Sequence, residues 1–278
     1  MKRLALATAL LLTATASYAS ERIISAGAAI TEIINAMGAQ DQLVAVDVTS
    51  KSLVDEGMPV LGYHRQLSAE SLISLTPTRL LGSNEMGPKA TLDLIQQAGI
   101  EVNVVNSGET VDDLLTRIQQ VGKLAHTEQA ALALQAKVQT KVDSIHHNLK
   151  QHTKQKKVLF LMIHEGRPAN VAGRNTTADS VIRLAGATNP AADAVESYKP
   201  ISLEAMVDMQ PDIILLSSRT LSQIGSADEL LQKMPLLSAT PAGQNKAVVT
   251  IDGTALIGGL GLKSLSEAER LNQVFYHQ

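Results

Sequence analysis

The chain has 278 residues, no cysteine, no tryptophan, four tyrosines and two phenylalanines, with 24 basic against 27 acidic side chains. This balance argues against nucleic acid or an anionic bilayer as partner, and the scarcity of aromatic rings removes stacking platforms for single strands. Without cysteine there is no disulfide framework and no lipidation site, so stability must come from buried apolar area.

The chain opens on Met1-Lys2-Arg3, then "LALATALLLTATA", then "SYA" before Ser20. A charged start, an apolar run and a small-residue cleavage site predict a secretory signal over residues 1–19. The run is shorter than the ~20 apolar residues of a membrane span, so it is read as removed, leaving an exported, unlipidated protein. Without Lys2 and Arg3 the charge falls to 22 basic against 27 acidic groups, a net −5, over enough chain for one large or two mid-sized domains.

In chain order, "RIISAG" reads as a strand and "TEIINAMGAQ" (Thr31 to Gln40) as a helix ending at Gly-Ala. "MPVLG" reads as a strand leading to Tyr63. Next comes Leu67 to Ser83, "LSAESLISLTPTRLLGS", with Ser68 as N-cap, Pro77 as breaker and "TRLLGS" as strand. From Thr127 to His152, Leu134, Val138, Val142, Ile145 and Leu149 recur at spacings of 4, 4, 3 and 4 with no Gly or Pro between. That is the helical period, and 26 residues at 1.5 Å each make a helix about 39 Å long. Beyond it "KVLFLMI", "ANVAG", "DIILLS" and "AVVTID" read as strands. "GGLGLKS" at Gly258 to Ser264 has Leu262 where a phosphate loop needs glycine before its lysine. It reads instead as a close backbone approach before a last helix, with Ser266 and Glu269 as a capping box.

The plan repeats. Ile201 to Ser217, "ISLEAMVDMQPDIILLS", matches Leu67 to Ser83 at an offset of 134, with Ser, Glu, Pro, Leu and Ser recurring. "DSVIRLAGAT" (Asp179 to Thr188) likewise matches "TEIINAMGAQ". Two Rossmann-like α/β lobes follow, residues 20–126 and 153–278, joined by one long helix over 127–152, with a ligand cleft between them.

In open α/β sheets ligands sit beyond the carboxyl ends of strands. Those ends carry Gly27, Tyr63 and Asn84 in the first lobe, and His164, Arg167, Arg174 and Gly253 in the second, with Tyr198 placed before Ser202 much as Tyr63 is before Ser68. Tyr63 and Arg65 share a face of an extended segment while His64 points away, solvent-facing or behind the site. A guanidinium beside a phenol favours the phenolate, a hard ligand for ferric iron and a known axial ligand of haem. His164 can bind iron from the other lobe. The arginines, and the helix starts near Gly27 and Thr176, can hold propionates.

At this point "GYHRQLSAESLISLTP" (Gly62 to Pro77) and "SYKPISLEAMVDMQPDIILLS" resemble the periplasmic binding proteins of bacterial haem ABC importers, in which one long helix bridges two lobes. The resemblance spans essentially the whole mature chain. It implies haem as transported ligand, one or two per chain, with Tyr63 as axial ligand beside Arg65 and His164 as second ligand. It further implies that Glu70 and Glu204 dock onto the permease dimer, and a periplasmic monomer serving iron uptake rather than an enzyme.

Plainer readings exist for each residue. Tyr63 can be a half-buried strand residue, His164 a loop histidine bonded to Glu165, and the two glutamates ordinary exposed helix residues. His146, His147 and His152 lie on the linking helix, where neighbours do not share a face, and read as polar surface. A ferric siderophore held by Arg65, Arg167 and Arg174 is the alternative cargo; cobalamin would want more aromatic lining.

Overall fold

Four short apolar runs become the inner strands. Ile23–Ala26 and Arg79–Gly82 are buried along their whole length, and Val158–Met162 and Ile213–Ser217 over all but the last residue of each. Parallel strands covered by helices on both faces have this continuous apolar signature. The computed structural model describes residues 21–150, 154–164 and 166–276; the expected signal segment and His152 lie outside them.

The first lobe comprises β1 (Ile23–Ala26), α1 (Ala28–Ala36), β2 (Leu43–Val46), α2 (Ala69–Ile73), β3 (Arg79–Gly82), α3 (Lys89–Gln97), β4 (Glu101–Val104) and α4 (Val111–Leu124). The long helix α5 (Glu128–Leu149) follows. The second lobe comprises β5 (Val158–Met162), β6 (Asn170–Ala172), α6 (Thr177–Leu184), β7 (Tyr198–Pro200), α7 (Leu203–Asp208), β8 (Ile213–Ser217), α8 (Ser218–Ile224), α9 (Ala227–Lys233), α10 (Pro241–Gln244), β9 (Val248–Ile251) and α11 (Leu262–Tyr276). The first sheet is parallel in order β2-β1-β3-β4, and the second is β7-β6-β5-β8-β9. In the second, β6 pairs antiparallel with both β5 and β7, an edge that the Rossmann-like expectation did not contain. The two-lobe α/β architecture is the expected one.

The repeat extends to backbone dihedrals. Thr76 and Gln210, 134 residues apart and each before a proline, both sit at φ 45°. Gly38 and Gly186 close α1 and α6 at φ 73° and 87°, the left-handed helix end that glycine adopts without a Cβ penalty.

Helix α5 buries Leu134, Val138, Val142 and Ile145, as its spacing requires, each contributing about 1.5–3 kcal/mol relative to exposure. Its 22 residues span about 33 Å. One continuous core cluster runs from Ile33 of α1 through Val142 of α5 to Val158 of β5, Val181 of α6 and Phe275 of α11. The lobes are therefore welded along their backs.

Two expectations are corrected here. "MPVLG" is not a strand: only an isolated bridge joins Val60 to Val46. Ser266 and Glu269 form no capping box, because α11 begins four residues earlier, at Leu262. The Ser266 hydroxyl donates to the Leu262 carbonyl at 3.1 Å and Glu269 pairs with Lys141 at 3.0 Å. A serine followed three residues later by glutamate also occurs on exposed helix faces, and the true cap is tertiary: Glu32 of α1 accepts the Lys263 N–H at 3.0 Å.

Candidate functional site

Tyr63 stands at the carboxyl edge of the first sheet. Residues 60–62 run beside the exit of β2, with Leu61 N–H donating to the Val46 carbonyl at 2.8 Å and Val48 N–H to Gly62 at 3.4 Å. This edge leaves Val48, Val60 and Tyr63 exposed, Tyr63 by 40%, an apolar ledge in a chain that buries most such residues. The backbone is extended at Tyr63 and turns into a 3-10 turn over His64–Gln66. The expected alternation survives that turn: Tyr63 and Arg65 face out, while His64 is buried at 2% exposure. The guanidinium of Arg65 lies 6.0 Å from the Tyr63 ring centroid, within cation–π range, and pairs with Glu85. That pairing holds the Arg65 pKa above its ordinary value.

Of the two positions expected for His64, the structure has the one behind Tyr63 and not the solvent-facing one. The imidazole reaches inward to Asp47, Nδ1 to Oδ2 2.8 Å. Asp47 is 1% exposed and also accepts from Thr49 Oγ1 at 2.8 Å, Ser50 Oγ at 2.9 Å and Gly27 N–H at 3.2 Å. Burial alone would raise the pKa of this carboxyl; the bonds from His64, Thr49 and Ser50 outweigh it and hold the value below the usual carboxylate range. Gly27, expected to contact a propionate, stands against this same carboxylate. Its N–H donates to Asp47 at 3.2 Å and the next, Ala28 N–H, to Thr49 Oγ1 at 3.1 Å.

In the second lobe His164 and Arg167 follow β5 together, with Arg167 N–H donating to the His164 carbonyl at 3.2 Å. Both are exposed and line a cavity of 990 Å³ with Ile163, Met206, Ile224 and Met234. Ser202, Thr220, Gln223 and Lys233 line it as well, so the cavity mixes apolar side chains with cationic and hydrogen-bonding ones, all from the second lobe. Arg174 is exposed and pairs with Glu196 at 3.2 Å. Asn84 is exposed and accepts from Ser107 Oγ at 2.8 Å. Tyr198 is not a mirror of Tyr63: it is half-buried in β7, packs edge-on to Phe160 at 6.3 Å and turns its oxygen toward Thr176 and the Ala178 N–H. Burial and the nearby Glu109 push its pKa up to about 12. Glu70 and Glu204 are exposed at the second position of α2 and α7, symmetric in the repeat.

The sequence reading missed the residues that join the lobes. Arg117 of α4, 1% exposed, donates to the Leu260 carbonyl at 3.0 Å, to Gly108 at 3.0 Å and to Asn106. Gly259 must be glycine there: its φ is 84°, and a Cβ would come within 2.5 Å of the Ser107 carbonyl. Across the same seam Thr177 Oγ1 donates to Glu109 Oε1 at 2.9 Å. Asp47 and Glu109 follow β2 and β4, so inspecting the ends of those two strands as well would have found them.

Glu109 supplies a pH test. Burial raises its pKa above the ordinary carboxylate value, and the charges of Asp113 and Glu85 add to that, while its Oε2 is buried without a hydrogen bond. As pH rises past the unfolded value the unfolded state ionises first, so the folded state loses relative stability until the raised folded value is passed. Glu109→Gln keeps the acceptor for Thr177 without that penalty. Its melting temperature is expected to match wild type at acid pH and to exceed it at neutral pH, as read by calorimetry across the range.

A family model described as "Periplasmic binding protein" matches residues 23–255. This chain belongs to that family. The periplasmic binding protein described here is a binding component rather than an enzyme, and the family pairs with permeases of ABC importers. It is similar to the crystal structure of the periplasmic heme binding protein HutB of Vibrio cholerae, at 53% identity and TM-score 0.87 over 92% of this chain and 99% of that one. It is also similar to the periplasmic heme-binding protein BhuT in complex with two hemes, at 30% identity and TM-score 0.85 over 92% and 98%. Among characterised sequences, the vitamin B12-binding protein of Vibrio parahaemolyticus is 24% identical over 78% of each chain. Among the described residues no helix of this periplasmic binding protein is long and apolar enough to cross a membrane.

Proposed function

We propose that this protein captures ferric haem between its lobes and hands it to the permease of an ABC importer. The observation that carries this is the placement of Tyr63: a rare aromatic, 40% exposed on an apolar ledge, with Arg65 beside its ring. Phenolate oxygen is a hard donor matched to ferric iron, and the Val48–Val60 ledge suits a porphyrin edge. His164 is the ligand offered by the second lobe, and Arg167 and Arg174 are the cations for propionates. The heme-binding relatives support the same cargo.

In this reading residues 20–126 and 153–278 act as the lobes and 127–152 as their link, after a signal over 1–19 is removed without lipidation. Glu70 and Glu204 present one carboxylate per lobe to basic residues of the permease dimer, and the protein works as a monomer.

The test is a titration of purified apo-protein with ferric haem, followed by absorbance, in parallel with cyanocobalamin and a ferric siderophore. Saturable binding with a ferric-tyrosinate spectrum is expected for haem alone, and its endpoint reads one or two haems per chain. The same titration of His164→Ala assigns the second ligand. Saturation by cobalamin or siderophore with none by haem overturns the reading.

A further inference from the structure

We infer that His64, clamped by Asp47, is the residue that holds the Tyr63 phenol in place for its ligand. This rests on the haem reading, although the geometry behind it belongs to the protein without cargo. Among the described residues the Tyr63 hydroxyl has no hydrogen-bond partner, so nothing at the phenol oxygen orients the ring. The ring lies against the imidazole of His64, centroids 4.3 Å apart and tilted by 52°, and within 6.0 Å of the guanidinium of Arg65.

Arg65 is half-exposed and its partner Glu85 is 40% exposed, so that side of the ring is flanked by a solvent-exposed ion pair. His64 is the opposite case. Its Nδ1–H is donated to Asp47 at 2.8 Å, its Nε2 lies 3.7 Å from Glu85, and its carbonyl accepts from Gly87 N–H at 3.0 Å. It is pinned by side chain and by backbone.

The anchor behind it is itself rigid. Asp47, Ser50, Thr31 and Ser25 are all within 1% of fully buried. They form one chain of bonds: Ser50 to Asp47 at 2.9 Å, Thr31 to Ser50 at 2.8 Å, and Ser25 with Thr31 at 2.8 Å. A satisfied buried polar network of this kind rigidifies what it holds. It ties the first residue of the 3-10 turn to the ends of β1 and β2 and to the start of α1. Groups that orient a ligating side chain from behind typically change affinity ten- to a hundredfold when removed.

The imidazole is therefore a plate for the phenol as well as a bond to Asp47, and the two roles separate by substitution. His64→Ala removes both; His64→Asn restores an N–H at about the Nδ1 position without the plate. Two readouts apply to each: hydrogen exchange of residues 60–67 in the apo-protein, and ferric haem affinity with its tyrosinate spectrum. His64→Ala is expected to speed exchange in that segment and to weaken haem about ten- to a hundredfold, with a weakened tyrosinate band. His64→Asn is expected to regain most of the exchange protection and only part of the affinity, and it stands in should the alanine variant not fold. Wild-type exchange over 60–67 together with wild-type affinity in these variants would overturn the inference. Should wild type fail to bind haem, the cargo reading falls, while the exchange measurement still decides whether His64 holds the Tyr63 segment.

Discussion

Arg117→Ala is expected to be the most damaging single substitution away from the cleft, costing about 3–5 kcal/mol of folding stability, the scale for breaking a buried charged cluster by removing one partner. Arg117 is 1% exposed and donates to three backbone carbonyls, two in the loop after β4 and one, Leu260, just before α11. Hydrogen bonds from a charged donor contribute about 1.5–3 kcal/mol each, and unpaired buried acceptors cost more than they gained. The carboxylates of Glu109, Asp113 and Glu32 also lose their cation. In a protein of this size the loss lowers the melting temperature by about 10 °C, read by calorimetry or denaturant titration. Arg117→Lys is expected to recover only part, since an ammonium cannot span three carbonyls as the guanidinium fork does. A melting temperature within two or three degrees of wild type for Arg117→Ala would show that the seam is held by apolar contacts alone.

Tyr63→Ala should behave in the reverse way, with stability intact and cargo lost. The side chain is 40% exposed, and an exposed substitution outside a cap or core changes stability by no more than about 0.5 kcal/mol. On the proposed haem reading, removing the iron ligand costs at least the hundredfold seen at the upper end for groups that merely orient one, and the ferric-tyrosinate spectrum should vanish with the phenol. Tyr63→Phe separates ligation from packing: it keeps the ring against His64 and removes the oxygen. Loss in both variants assigns the oxygen, whereas binding retained by Tyr63→Phe assigns only the ring. Tight binding unchanged in both would move the ligand search to His164.

Much of this could be read from residue order because it depends on local repetition. The match of Leu67–Ser83 to Ile201–Ser217 located both α2–β3 and α7–β8, and each of its prolines directly follows a left-handed residue, Thr76 or Gln210. The apolar stripe of α5 was legible for the same reason: a helix shows its buried face at fixed spacing. Tyr63 was legible because it is rare and sits beside an arginine. What failed were local patterns that tertiary contacts override. Ser266 and Glu269 fit a capping motif yet lie inside α11, because Glu32 from another helix supplies the cap. Tyr198 fits the repeat yet turns inward, because β7 is a sheet-edge strand against Phe160.

By itself, then, residue order determined the two-lobe α/β plan, the linking helix and the few polar side chains presented at strand ends. All of these follow from short-range periodicity, turn residues and composition, which are complete within a dozen residues of chain. Only the tertiary structure decided which polar groups are available to a ligand. Gly27 and His64 are consumed by Asp47, from 20 and 17 residues away, whereas Tyr63 is left open. Arg117 is consumed by Leu260, 143 residues away. A buried donor or acceptor must be satisfied by whatever the fold brings near, and that neighbour is set by packing of the whole core rather than by spacing along the chain.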